Sequence, residues 1–218
     1  KQLMLSMFHA TIWGTAIDGT NRVECRQHLS ELGNSPVMLE ELMQLLQWRY
    51  DNIDFIDERN TLPYVCPLDI HCTYSRDQLL CALGYSGFSN VREGVKYLED
   101  RKTDIFMITL NKSDKDYSPT TMYNDYAVNS TLFHWQSQST TTPESNTGKR
   151  YINHKSTGNH ILLFVREFKK DAWGTSAYTF LGEADYVSHN GSRPMNMLWR
   201  LKTPIPAKYI RKVQQVMG

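Results

Sequence analysis

Apolar residues recur at helical spacing through the first part of the chain and in strand-length runs through the last half. Leu3, Met4, Met7, Phe8 and Ile12 fall on one helical face, and Gly14 and Gly19 break that pattern. Asn34-Ser35-Pro36 predicts a second start, with Ser35 as N-cap and Pro36 at the first helical position. Leu39, Leu42, Met43, Leu46 and Tyr50 then form a stripe whose expected role is buried core. Ser75-Arg76-Asp77-Gln78 matches a capping box and predicts a short helix through Leu79, Leu80 and Leu83 that stops at Gly84. Residues 91–99 read as one more helical turn or an irregular arm.

The texture changes at Asp104. Residues 105–110, 160–168, 178–186 and 195–202 read as strands, the third interrupted at Gly182. The run Ile161–Val165 is apolar at every position, which predicts a central strand buried on both faces. Residues 140–150 have loop composition, residues 151–154 read as a short strand, and Pro206 opens a short terminal helix. The expected class is α+β: a helical coupler over residues 1–100, then a β-rich unit over residues 101–218 forming a small curved sheet or barrel.

Charge supports that division. The 218 residues carry a net charge of only +1. Residues 1–100 hold 8 Lys and Arg against 14 Asp and Glu, or −6, leaving 16 against 9, or +7, for residues 101–218. A basic half joined to an acidic half points to a polyanion, and nucleic acid is the expected partner. No apolar run approaches the roughly 20 residues that span a bilayer, so no membrane partner is expected. The chain starts at Lys1 without an initiator Met or a visible secretory signal, which points to a piece of a longer cytoplasmic protein. Cys66, His71 and Cys72 are conceivable metal ligands, but no second CxxC or HxxxH follows, so free thiols and no metal are expected.

One stretch stands apart. Residues 117–139 place Tyr117, Tyr123, Tyr126, Phe133 and Trp135 among Ser, Thr, Asn and Gln, with no Lys or Arg. Rings with polar tips suit a pocket that stacks a flat ligand and hydrogen-bonds its edge; a flipped nucleobase is one such ligand. The plainer reading is a strand and turn with satisfied polar groups. Period two puts Phe133, Trp135 and Ser137 on one face and His134, Gln136 and Gln138 on the other, so a strand would offer a pocket Trp135 or the glutamines, not both. Candidate base-pocket residues are Tyr117, Tyr123, Asp125, Tyr126, Trp135, Gln136, Ser137 and Gln138. Candidate phosphate contacts are Lys149, Arg150, His189, Ser192 and Arg193.

These residues carry a resemblance. Asp116-Tyr117-Ser118-Pro119-Thr120-Thr121-Met122-Tyr123-x-Asp125-Tyr126, then Phe133-His134-Trp135-Gln136-Ser137-Gln138-Ser139-Thr140, resembles the C-terminal domain of phospholipase-D/helicase type IV restriction enzymes. Thr147-Gly148-x-Arg150-Tyr151-Ile152, Leu163-Phe164-Val165-Arg166-Glu167 and Tyr186-Val187-Ser188-His189-x-Gly191-Ser192-Arg193-Pro194-Met195 continue it, and Tyr74-Ser75-Arg76-Asp77-Gln78 precedes it. The resemblance implies an SRA/PUA-like barrel that flips and reads 5-methylcytosine or 5-hydroxymethylcytosine in bacterial double-stranded DNA. It further implies that this portion is not itself an enzyme and holds no cofactor. ATP and a divalent metal would serve the helicase and nuclease domains of the parent chain. Neither HxKxxxxD nor GxxxxGK[ST] occurs in these residues. Two other classes stay open: a small nucleic-acid hydrolase built on His134, His189 and Asp125, and a structural coupler to a helicase motor.

Overall fold

A mixed sheet of eight strands spans residues 73–201, and the first and fourth helices of the chain contribute to the core on one of its faces. The computed structural model describes residues 1–53, 58–87, 90–91, 94–110, 125–172 and 174–207.

Helix α1 (Gln2–Trp13) stops where Gly14 takes a left-handed φ of 71°. Helix α2 (Arg22–Gly33) leads into α3 (Pro36–Asp51), which begins at Pro36 as expected, although Ser35 makes no side-chain cap. No residue of α3 is buried. Leu39, Met43, Leu46 and Tyr50 are 40%, 60%, 51% and 72% exposed, so the stripe expected to be core lies open. Periodicity shows that a helix has an apolar face, but not what covers that face. Two-residue strands β1 (Glu58–Arg59) and β2 (Asp69–Ile70) pair antiparallel, and β3 (Thr73–Tyr74) joins the main sheet. Helix α4 (Arg76–Ala82) starts on the expected capping box: Ser75 Oγ accepts from Gln78 N at 3.1 Å while Gln78 Oε1 accepts from Ser75 N at 2.9 Å.

Residues 95–98 form strand β4 (Val95–Leu98), where a helical turn or arm was expected. It pairs antiparallel with β5 (Thr103–Thr109), Leu98 opposite Thr103, so the expected domain boundary at residue 101 falls inside a hairpin. Strand β6 (Tyr126–Ala127) and β7 (Leu132–Gln136) come next, then α5 (Asn146–Ile152) and α6 (His154–Thr157) in place of the expected loop and strand. Ser145 makes that helix: its Oγ accepts from Gly148 N at 3.0 Å. Gly148 is obligatory there, because a Cβ would sit 2.0 Å from Thr142 O. Strand β8 (His160–Arg166) runs parallel to β5. The small hairpin β9 (Lys170–Asp171) and β10 (Gly174–Thr175) leads to β11 (Tyr178–Asn190) and β12 (Asn196–Leu201).

Sheet order is β4-β5-β8-β11-β12-β7-β6, with β3 attached to β11. The long β11 joins two halves of the sheet, its register shifting between Phe180 and Gly182 and again between Tyr186 and Ser188. Among the described strands the order runs from β4 to β6 without closing into a barrel. As the apolar run predicts, β8 is buried on both faces, and so is β5. Ile105, Met107, Leu162 and Phe164 enter one core with α4, whereas Phe106, Ile108, Ile161, Leu163 and Val165 enter a second, aromatic one. That second core also receives Phe133, Trp135, Met197 and Trp199 from the far half, so the curved sheet encloses it.

Candidate nucleic-acid interface

Pairing fixes which side chains share a face. Tyr126 lies opposite His134, His134 opposite Leu198, and Gln136 opposite Asn196. Along β7, Phe133 and Trp135 are buried while Leu132, His134 and Gln136 are half-buried. The period-two alternation therefore places Trp135 on the core side of β7 and His134 and Gln136 on the other side.

Trp135 is a core residue. It is 4% exposed, stacks on Phe106 at 4.0 Å between ring centroids, and meets Tyr151 edge-on at 5.7 Å. Tyr126 instead stacks on His134 at 4.8 Å with the planes 17° apart, on the outer face. Beside them Gln136 Nε2 donates to Asn196 Oδ1 at 2.7 Å. Asp125 is buried and its Oδ1 accepts from the backbone N–H of Gln136 at 2.8 Å, holding the end of β7. Sequence reasoning missed Asn196: it stands at the head of the last strand, but only the register brings it to Gln136.

Ser137 ties this face to an exposed turn. Its Oγ accepts from Met195 N at 2.9 Å and its own N–H donates to Met195 O at 2.9 Å. Ser137 is fully buried, so it positions the turn and does not line a surface. Within the turn Gly191 and Arg193 have φ of 71° and 59°, and Arg193 N–H donates to Thr141 O at 3.1 Å. Ser192 and Arg193 are exposed, and Gln138 is half-buried on the adjoining loop. The structure thus brings Gln136, Ser137 and Gln138 together with Ser192 and Arg193. Tyr117 and Tyr123 lie outside the described residues.

Arg150 is occupied elsewhere. Its Nε and one terminal nitrogen fork onto the buried Asp104 carboxylate at 2.8 and 2.9 Å, and its guanidinium lies 3.9 Å from the Tyr97 ring centroid. Burial pushes the Asp104 carboxyl up, and Arg150 only partly offsets that. Burial also acts to lower the Arg150 pKa, but the hydrogen bond and charge of Asp104 outweigh it and raise it. Arg150 is therefore removed from the candidate phosphate contacts, while Lys149, one residue away on α5, is exposed. His189 is half-buried, with Nδ1 2.6 Å from the Tyr186 hydroxyl. It pairs with Met197, so it stands on the side of the sheet opposite His134, and the two histidines of the alternative hydrolase reading do not share a face. Among the described residues no group of three or more His, Cys, Asp or Glu is placed to hold a metal, and all four cysteines are free.

Residues 68–213, or 146 of the 218, match a family described as a domain of unknown function, DUF3427. The chain belongs to the DUF3427 family. No curated protein matches the chain. The DUF3427 match contains the whole main sheet, the Tyr126–His134 stack and the Arg193 turn, and leaves α1, α2 and α3 outside it.

Proposed function

We propose that the chain is a DNA-reading domain for 5-methylcytosine or 5-hydroxymethylcytosine within an ATP-dependent, modification-dependent restriction enzyme. The observation that carries this reading is the adjacency of a polar–aromatic sheet face to an exposed basic turn, the two clamped by Ser137. In this reading Tyr126 and His134 supply a stacking surface, and Gln136 with Asn196 supplies amide donors and acceptors for a base edge. Arg193, Ser192 and Lys149 hold phosphates in a sequence-independent way. Flipping a base costs a few kcal/mol, and stacking on an aromatic returns roughly 1–3 kcal/mol per base. The curved sheet is compatible with a small SRA-like barrel completed by further residues. The open apolar face of α3 suits attachment of the helical coupler to helicase and nuclease domains of a parent chain.

Fluorescence anisotropy of the purified domain with matched duplexes tests this. The proposal expects tighter binding to the duplex carrying 5-methylcytosine or 5-hydroxymethylcytosine than to the unmodified one. Equal binding to all three would refute the reader function. Cleavage of any of them by the domain alone would favour the hydrolase, and no DNA binding at low salt would favour the coupler.

A further inference from the structure

A cleft of about 350 Å³ lies far from the features above in sequence, between the first half of α1, the loop after it, α2 and the end of α4. Its volume is at the lower end of the roughly 300–1,000 Å³ of small-molecule sites. One face of α2 forms a wall: Arg22, Cys25, Arg26 and Leu29 recur at the i, i+3, i+4, i+7 spacing of a single helical stripe. In an ordinary helix contact such a stripe is apolar. Here Cys25 and Leu29 are joined by two guanidinium groups one helical turn apart. Among the described residues neither arginine makes an ion pair, although this half of the chain carries 8 basic against 14 acidic residues.

Two guanidinium groups face a single carboxylate in the lining. Glu24 and Glu31 of α2 lie roughly 180–200° around the helix from Arg22. Asp18 does line the cleft, but its Oδ1 accepts from Thr20 N and Thr20 Oγ at 2.7 Å each and from Asn21 N at 3.3 Å. Those bonds, led by the Thr20 hydroxyl, hold its carboxyl below the usual range. Opposite α2 the cleft is bounded by Tyr85, over whose ring Lys96 Nζ sits at 4.3 Å from the centroid. Two guanidinium forks without an ion pair among the described residues match the oxygens of a phosphate, and Leu3, Leu5, Ile17 and Leu29 of the lining suit the body that carries it.

We infer that this cleft is a binding site for a phosphomonoester on a body of nucleotide size. The same chemistry is offered by a free nucleotide and by a 5′-phosphorylated DNA end, and the two are separable. The inference does not depend on the reader function. Adenosine 5′-monophosphate is the probe, because it bears no cytosine for the sheet face to recognise. Isothermal titration should show saturable binding of this nucleotide at least tenfold tighter than adenosine. Arg22→Ala and Arg26→Ala, both at exposed positions, should each weaken it at least tenfold. Gln136→Ala should leave it unchanged. A blunt, unmodified duplex with 5′-phosphates, compared with its 5′-hydroxyl counterpart, identifies a DNA end as the source if the phosphorylated form binds in an Arg26-dependent way. Adenosine binding as well as its monophosphate, or the double variant binding as well as wild type, would overturn the site.

Discussion

Arg150 and Arg193 are both arginines of the basic half, and their surroundings give them opposite work. Arg150 compensates a buried carboxylate, so Arg150→Ala strands Asp104 and should cost roughly 3–5 kcal/mol of stability, seen as a lower Tm. Arg193 stands exposed on a turn, so Arg193→Ala should leave Tm nearly unchanged. In the DNA-reading account the same change reduces the slope of log K against log salt by about one unit. An unchanged slope would place Arg193 off the DNA. Trp135 divides from Gln136 in the same manner. Trp135→Ala empties part of the aromatic core and should lower stability by roughly 3–5 kcal/mol, measurable by denaturant titration.

At the scale of elements, α3 offers a prediction against the expectation its sequence raises. Leu46 is 51% exposed, so Leu46→Gln should shift stability of the isolated domain by no more than about 0.5 kcal/mol. A loss of several kcal/mol would mean that α3 is covered. What was legible follows from how local each signal is. The Ser75 capping box and the doubly buried Ile161–Val165 strand could be read because neighbouring residues determine them. The α5 helix is hidden because Thr, Pro, Glu, Ser and Asn look like loop; its start is the Ser145 cap on Gly148 N, and the close approach to Thr142 O is what requires glycine at 148. The candidate face was half legible: alternation along β7 offered two sides, and only the partner strands bury the Trp135 side. Asn196, the commitment of Arg150 to Asp104, and the position of residue 101 within a hairpin are long-range facts with no local signature.

Across the whole molecule, stability should depend on pH through buried histidines. His154 is buried; with Nδ1 3.2 Å from Asn159 O, a carbonyl that can only accept, Nδ1–H is the donor, and Nε2 accepts from Tyr186 N–H at 3.0 Å. Only the neutral ring satisfies both bonds. Burial lowers its pKa more than the hydrogen bond to the Asn159 carbonyl and the charges of Asp185 and Glu183 raise it, Lys155 lowers it further, and burial lowers that of His71 as well. The unfolded chain thus binds more protons below the ordinary histidine pKa of about 6.5. Stability should be full above that value and fall as pH drops through the lowered folded pKa. His154→Gln should flatten the decline in a series of melts, and an unaltered profile would assign it to other groups.

The central claim is that the outer sheet face, and not the aromatic core, reads the modified base. Its most direct measurement is the ratio of affinities for 5-methylcytosine and unmodified duplexes in Gln136→Ala and Tyr126→Ala, each shown to melt like wild type. Phosphate contacts are common to both duplexes, so only a lost base contact changes the ratio. The account predicts that Tyr126→Ala lowers the ratio by about one to two decades, from roughly 1–3 kcal/mol of stacking at 1.4 kcal/mol per decade. Gln136→Ala should lower it by a smaller but definite factor. Well-folded variants that keep the full wild-type ratio would contradict it.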